Sequence, residues 1–161
     1  MRSSESNVRV TPSVLDRLID LEPRELKEGS KTRSTEMSEL RAAVRRDLEW
    51  LLNTRCFLEA PENGLEEAKK SVAFYGLPDI TGLSAKNSAE QNRLAKALEN
   101  AIRIFEPRFL DLKVTLEHLG TADRSLKFRI EAKLDVDPAP EPIAFDTVLE
   151  LGSGDFSIRE Q

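Results

Sequence analysis

Large apolar side chains recur every three or four residues through the first two thirds of the chain, then every two. Met37, Leu40, Val44, Leu48, Leu51 and Leu52 predict a strong amphipathic helix over about 36–53. Before it, Thr11-Pro12 offers an N-cap followed by proline at the first helical position, and Val14, Leu15, Leu18 and Ile19 form a short stripe that ends before Pro23. The intervening "EPRELKEGSKTRSTE" holds one large apolar residue, Leu26, and predicts an exposed linker. Residues 1–35 are therefore expected to be a mobile arm and residues 36–161 one domain. Leu65, Ala68, Val72 and Tyr75 suggest a shorter helix stopped by Gly76 and Pro78. Ser88-x-x-Gln91 is a capping-box pattern ahead of Leu94, Leu98, Ala101, Ile102 and Phe105. Pro107 closes that helix, because proline disfavours helical geometry at the preceding Glu106.

After Arg108 the period changes. Leu110, Leu112, Val114 and Leu116 alternate with Asp111, Lys113, Thr115 and Glu117, and a second run alternates from Leu126 to Val136. Ile143 to Leu151 predicts a third strand and "DFSIRE" a short fourth. Each run is apolar on one face and charged on the other, as in an antiparallel sheet with one wet side. Helices first and a β-meander second predict an α+β fold, with the helices packed on one face of a sheet of three to four strands.

Three features stand apart from this core. On the long helix, Arg46 and Trp50 lie one turn apart on the face opposite the apolar stripe, and Trp and Arg are favoured interface anchors. Another element of the same domain covering Trp50 is the alternative. At the helix-to-strand joint, Glu106-Pro107-Arg108 sets two opposite charges around a rigid residue. The pair is either an internal salt bridge or a docking point for a partner's charges. The last strand, with Phe156 and Ile158, is placed at a sheet edge that either accepts a strand from another chain or is blunted by Asp155, Arg159 and Glu160.

Composition narrows the function classes. The 161 residues carry 24 Lys and Arg against 29 Asp and Glu, a net charge of −5, which argues against nucleic acid and anionic membrane surfaces as partners. The first 57 residues hold 11 basic and 10 acidic side chains and the remainder 13 and 19, so the negative charge is C-terminal. No run approaches the ~18 apolar residues of a membrane span and no secretory leader is evident, so a cytoplasmic chain is expected. One Cys56 and one His118 cannot form a Cys/His zinc site. A Cys or Ser nucleophile would need His118, which reads better as a hydrogen-bonded, partly buried side chain, as Cys56 reads as a buried thiol. No phosphate-binding glycine motif is present. A two-carboxylate glycosidase is the one enzyme class that needs neither His nor metal, but Arg108 beside Glu106 favours the ionised carboxylate, the wrong form for a general acid. No catalytic residue, cofactor or metal is assigned.

"RRDLEWLLNTR" (45–55), "SVAFYGLPDI" (71–80), "FEPR" (105–108) and "FDTVLEL" (145–151), in that order, resemble the TssE family of bacterial type VI secretion systems, homologous to the lysozyme-like-named wedge protein of contractile phage tail baseplates. The resemblance runs from about residue 10 to the C-terminus. It implies a structural, non-enzymatic baseplate component that joins the TssF and TssG wedge proteins. It also implies a C-terminal sheet that helps start polymerisation of the TssB/TssC sheath by strand addition. By the same resemblance, Glu106, Pro107 and Arg108 are the family's assembly motif, and the baseplate docks at the inner membrane complex without inserting. The earlier copy, Glu22-Pro23-Arg24, lies outside that joint. A peptidoglycan-cleaving enzyme and a wedge protein of a phage-tail-like particle are the alternatives.

Overall fold

The computed structural model describes residues 13–19, 23, 33–56, 58, 65–80, 87–117 and 125–160. Thr11, Glu22, Arg24, Leu26 and His118 lie outside them, and with them most of the expected arm. The described chain runs α1 (Val14–Leu18), α2 (Arg33–Asn53), α3 (Glu66–Lys69), a 3-10 turn (Val72–Phe74), α4 (Ser88–Phe105), and β1 (Phe109–Glu117), β2 (Ser125–Leu134), β3 (Glu141–Glu150) and β4 (Phe156–Glu160). The four strands form one antiparallel sheet in sequence order, so β1 and β4 are its edges. The fold is α+β with the helices ahead of the sheet, as the change of period predicts.

The core follows the sequence pattern closely. All six apolar positions of α2 are buried, as are Leu94, Leu98, Ala101 and Ile102 of α4. They meet the inward residues of β2 (Leu126, Phe128, Ile130, Ala132, Leu134), of β3 (Ile143, Phe145, Leu149) and of β4 (Phe156, Ile158). α2 lies against β4, α4 against β1, and the two helices touch each other. The outer face keeps its charges and pairs them across strands: Lys127 reaches Glu117 at 2.8 Å and Asp146 at 3.0 Å, and Lys133 reaches Asp111 at 2.7 Å.

The structure departs from the sequence-based expectation at element ends. The N-cap of α1 is Ser13, whose hydroxyl accepts from the Asp16 N–H at 3.2 Å. The N-cap of α4 is Asn87, which accepts from the N–H groups of Ala89 and Glu90; Ser88 is already helical, so the capping box is not used. The predicted third helix breaks at Ser71 into a four-residue helix and a 3-10 turn, and Leu65 and Val72 are exposed rather than packed. Cys56 is half-buried, not fully enclosed.

In β1 the alternation slips. Asp111 has φ +53° and the pairing with β2 shifts between Leu110 and Lys113, a β-bulge. Phe109 therefore joins the core with Leu112, Val114 and Leu116, while Leu110 turns to solvent. A period of two cannot reveal an inserted residue, because the pattern on either side of a bulge remains self-consistent.

After α2 the backbone of 54–56 pairs with Leu77: Leu77 N–H donates to Thr54 O at 2.9 Å and Cys56 N–H to Leu77 O at 2.7 Å. Gly76 makes this possible. It has φ +115°, and a Cβ there would fall 2.6 Å from the Thr54 carbonyl oxygen. Gly76→Ala is expected to destabilise the protein by about 2–3 kcal/mol, from strain and overlap with immovable backbone. Gly152→Ala, where a Cβ meets nothing within 4 Å, should leave the urea midpoint near wild type. The two midpoints, compared at unchanged m, check the contrast.

Candidate assembly site

The Glu106-Pro107-Arg108 joint is built by opposing demands on the chain. α4 must stop, since Pro107 supplies no N–H to continue it, and Glu106 leaves helical geometry at φ −123° and ψ 76° while its N–H still donates to Ile102 O at 2.8 Å. β1 must start at once, and Arg108 O accepts from the Asp135 N–H beyond the end of β2 at 2.9 Å. The backbone on both sides is thus fixed, which sets the directions of the two charged side chains.

Both point inward. Glu106 is only 5% exposed, and its two carboxylate oxygens accept from Arg108 Nε and Nη2, each at 2.5 Å. Arg108 Nη2 also donates to Asp47 Oδ2 of α2 at 2.7 Å. The other Asp47 oxygen accepts from Arg46 Nη2 at 2.8 Å and Nε at 3.1 Å, and Arg46 Nη1 donates to Asp16 Oδ1 of α1 at 2.8 Å. The Arg46 guanidinium lies 5.0 Å from the Trp50 ring centroid, within cation–π range. The charges alternate without a break, Glu106, Arg108, Asp47, Arg46 and Asp16, from the interior to the surface. Arg108 Nη1 has no hydrogen-bond partner among the described residues.

These pairings set the protonation balance. Hydrogen bonds and attraction from Glu106 and Asp47 outweigh burial and hold the Arg108 guanidinium firmly charged. The hydrogen bond from Arg46 holds Asp16 below the ordinary aspartate value. Burial is the main cause that raises the Tyr75 hydroxyl, and the nearby Asp47 and Glu106 charges add to it. Tyr75 packs edge-on against Phe105 with ring centroids 5.2 Å apart. Next to the ladder opens a largely apolar pocket of about 450 Å³. Trp50, Leu51, Tyr75, Phe105 and Pro107 line it, with Ser13 to Leu15 of α1 at its side.

The expected site residues thus separate. Arg46, Trp50, Glu106, Pro107 and Arg108 come together, with Trp50 and Pro107 exposed and Glu106 enclosed. Trp50 keeps half its surface open, so no described element buries it. The Glu106/Arg108 pair takes the internal alternative: its charges face each other and Asp47 rather than outward. Pro23 of the earlier copy is exposed at a turn. Phe156 and Ile158 sit apart, in the core beneath α2, so any contact with a partner there would run through the β4 backbone.

That edge is partly closed. The Asn53 side chain at the end of α2 accepts from Phe156 N–H at 2.8 Å and donates to Phe156 O at 3.0 Å, in the manner of a paired strand. Arg55 holds the carbonyls of Leu52 and Gly154. The ladder alternation then turns the backbone groups of Ile158 and Glu160 to the same outer side.

Sequence reasoning missed Asp16, Asp47, Asn53 and Arg55. For Asp47 a signal existed: it stands three residues after Val44 and four before Leu51, so a carboxylate at the margin of a buried stripe called for a cation. The clip by Asn53 left no trace in spacing.

The sequence profile of the baseplate wedge protein gp25 family matches residues 38–139. The chain belongs to that family. The match takes in α2, α4, β1 and β2, and three of the four sequence blocks noted above; "FDTVLEL" in β3 lies beyond it. The gp25 wedge family is one of structural baseplate proteins, despite its association with the name lysozyme. Neither the curated proteins nor the solved structures yield a match to this chain. Among the described residues no helix is long and apolar enough to cross a membrane, and no group of three or more His, Cys, Asp or Glu could hold a metal ion. In this gp25-family chain both oxygens of Glu106, the carboxylate best placed by sequence for acid catalysis, are committed to Arg108.

Two predictions follow from the ladder. Arg108→Ala strands Glu106 without its counter-charge and should cost about 3 kcal/mol in urea unfolding, whereas Asp47→Asn, which leaves the Glu106 pair intact, should cost about 1 kcal/mol. The second concerns acid. Because the folded pKa of Asp16 lies below its unfolded value, its contribution is present above that range and is lost as pH falls below about 4. Asp16→Asn, which removes this carboxylate and keeps the rest of the ladder, is the control. Emission of the single Trp50 should shift on acidification of the wild type, and the variant should begin near the shifted value.

Proposed function

We propose that this chain is the TssE-like baseplate wedge subunit of a type VI secretion machine. In this reading it is a non-enzymatic cytoplasmic component that joins the TssF and TssG wedge proteins and helps the TssB/TssC sheath begin to polymerise. Family membership supports the baseplate role. The observation that carries the docking site is the placement of exposed Trp50 and Pro107 around one apolar pocket, with half-buried Arg46 stacked on Trp50, by a ladder of charges that runs inward to buried Glu106. A half-exposed Trp beside an Arg, on a helix whose other face is fixed in the core, is the kind of rigid anchor that dominates interfaces.

Glu106 and Arg108 act in this reading from within. They hold α2 and the helix-to-strand joint in register, so that the surface above them has one shape. The sheath contact is assigned to the outer side of β4, from Ile158 onward, where an extended segment can continue the sheet. A short edge, clipped at its first residue, favours one register of addition over indiscriminate pairing.

Co-purification of tagged protein with co-expressed TssF and TssG tests the docking site. Wild type should elute in one complex; Trp50→Ala, which leaves the core untouched, should keep its unfolding midpoint and weaken capture by at least about tenfold. Equal capture of the folded variant would remove Trp50 from the interface. A chain that assembles only with phage-tail wedge proteins would keep the baseplate role and change the machine.

A further inference from the structure

α1 is held in an unusual way. Val14 and Leu18 are 73% and 77% exposed, and Leu15 and Ile19 also show much of their surface. Five residues are too few for a helix to persist unaided. Among the described residues, what fixes it besides the partial cover of Leu15 is polar: the Ser13 cap and the ion pair from Asp16 to Arg46, a pair open enough to water to contribute little. Yet α1 stands beside the pocket bounded by Trp50, Phe105 and Pro107, and Asp16 takes one N–H edge of the Arg46 guanidinium.

We infer that α1 is a displaceable strap: a weak, intramolecular occupant of the Arg46/Trp50 docking face that must yield its place to the incoming partner. Three observations define what would replace it. With α1 displaced, the ladder ends on the Arg46 cation, whose only partner outside α2 among the described residues is Asp16, so the newcomer brings a carboxylate. The pocket next to it is apolar, so the same segment brings a large apolar side chain within a turn of that carboxylate. α1 itself combines these features, with Leu15 at the pocket and Asp16 on Arg46. The occupant is therefore an amphipathic helix of a wedge protein carrying an acidic residue, and α1 lowers apparent affinity by the fraction of time it is bound.

This inference rests on the docking site proposed above, and the test separates the two. The full chain and its Asp16→Ala variant are compared first without partner. Amides of α1 in the wild type should exchange about a thousandfold faster than that of Leu48 in α2, and the substitution should speed them further and shift Trp50 emission with an unchanged unfolding midpoint. Capture by co-expressed TssF and TssG should then rise about three- to fivefold in the variant. Core-level protection of α1, or a midpoint lowered by Asp16→Ala, would make α1 an integral part of the domain and overturn the strap. Unchanged or weaker capture would do the same, by leaving α1 with no masking role or making it part of the contact. If neither chain captures the partners, the docking reading fails, while exchange and emission still decide how α1 is held.

Discussion

Arg108 cannot be left without counter-charges inside a protein of this size, and much of the arrangement around it follows from that. A guanidinium that is mostly removed from water requires carboxylates at hydrogen-bond distance. One comes from two residues away, Glu106, which the proline turn directs back along the chain. The other, Asp47, belongs to α2, far off in sequence. The bond from Arg108 to Asp47 therefore fixes the helix-to-strand joint against the long helix, and the bidentate geometry at Glu106 leaves little freedom in how it is made. Replacing Arg by Lys would keep a charge and lose the fork.

α2 carries that constraint on to the surface and to the sheet edge. Its buried stripe packs on the sheet, and the residues beside the stripe are tools: Asp47 for the joint, Arg46 and Trp50 for the surface, Asn53 and Arg55 for the turn into β4. All belong to an eleven-residue block, 45–55, which explains why so much recognisable sequence is concentrated there. The C-terminal turns of this helix couple the pocket to the sheet edge, since Trp50 and Asn53 stand one turn apart. A partner that shifted α2 at Trp50 would be felt at Phe156 through two hydrogen bonds of Asn53.

Periodicity made the fold legible because burial in a two-layer domain imposes it directly: six positions of α2 and the inward residues of β2 were visible as spacing alone. Where geometry adds or removes a residue, spacing fails. The bulge at Asp111 turned Leu110 out and Phe109 in, and the break at Ser71 exposed Val72, since neither disturbs the local pattern enough to announce itself. The site was half legible. Glu106-Pro107-Arg108 and Arg46/Trp50 could be nominated as unusual, but whether the charges face inward or outward depends on Asp47, a long-range partner that no local rule connects to Arg108. Caps were misplaced by one or two residues for the same reason: Ser13 competes with Thr11, and Asn87 with Ser88, on nearly equal terms.

The two sheet edges show how such a domain can offer strand pairing without inviting aggregation. β1 is bent by its bulge, and Lys133 draws Asp111 across to β2, so that edge is irregular at its start. β4 is regular but short, and Asn53 already satisfies the outward N–H and C=O of Phe156. An added strand therefore finds an aligned edge only from Ile158 onward, next to Arg159 and Glu160. Glu160 is itself engaged by Arg41 of α2 at 3.2 Å. Extending the sheet there would place the new strand beside the same helix that carries Asp47, Arg46 and Trp50. In the proposed function, docking and strand addition would both draw on one rigid element, a physical route by which assembly at the first prepares the second.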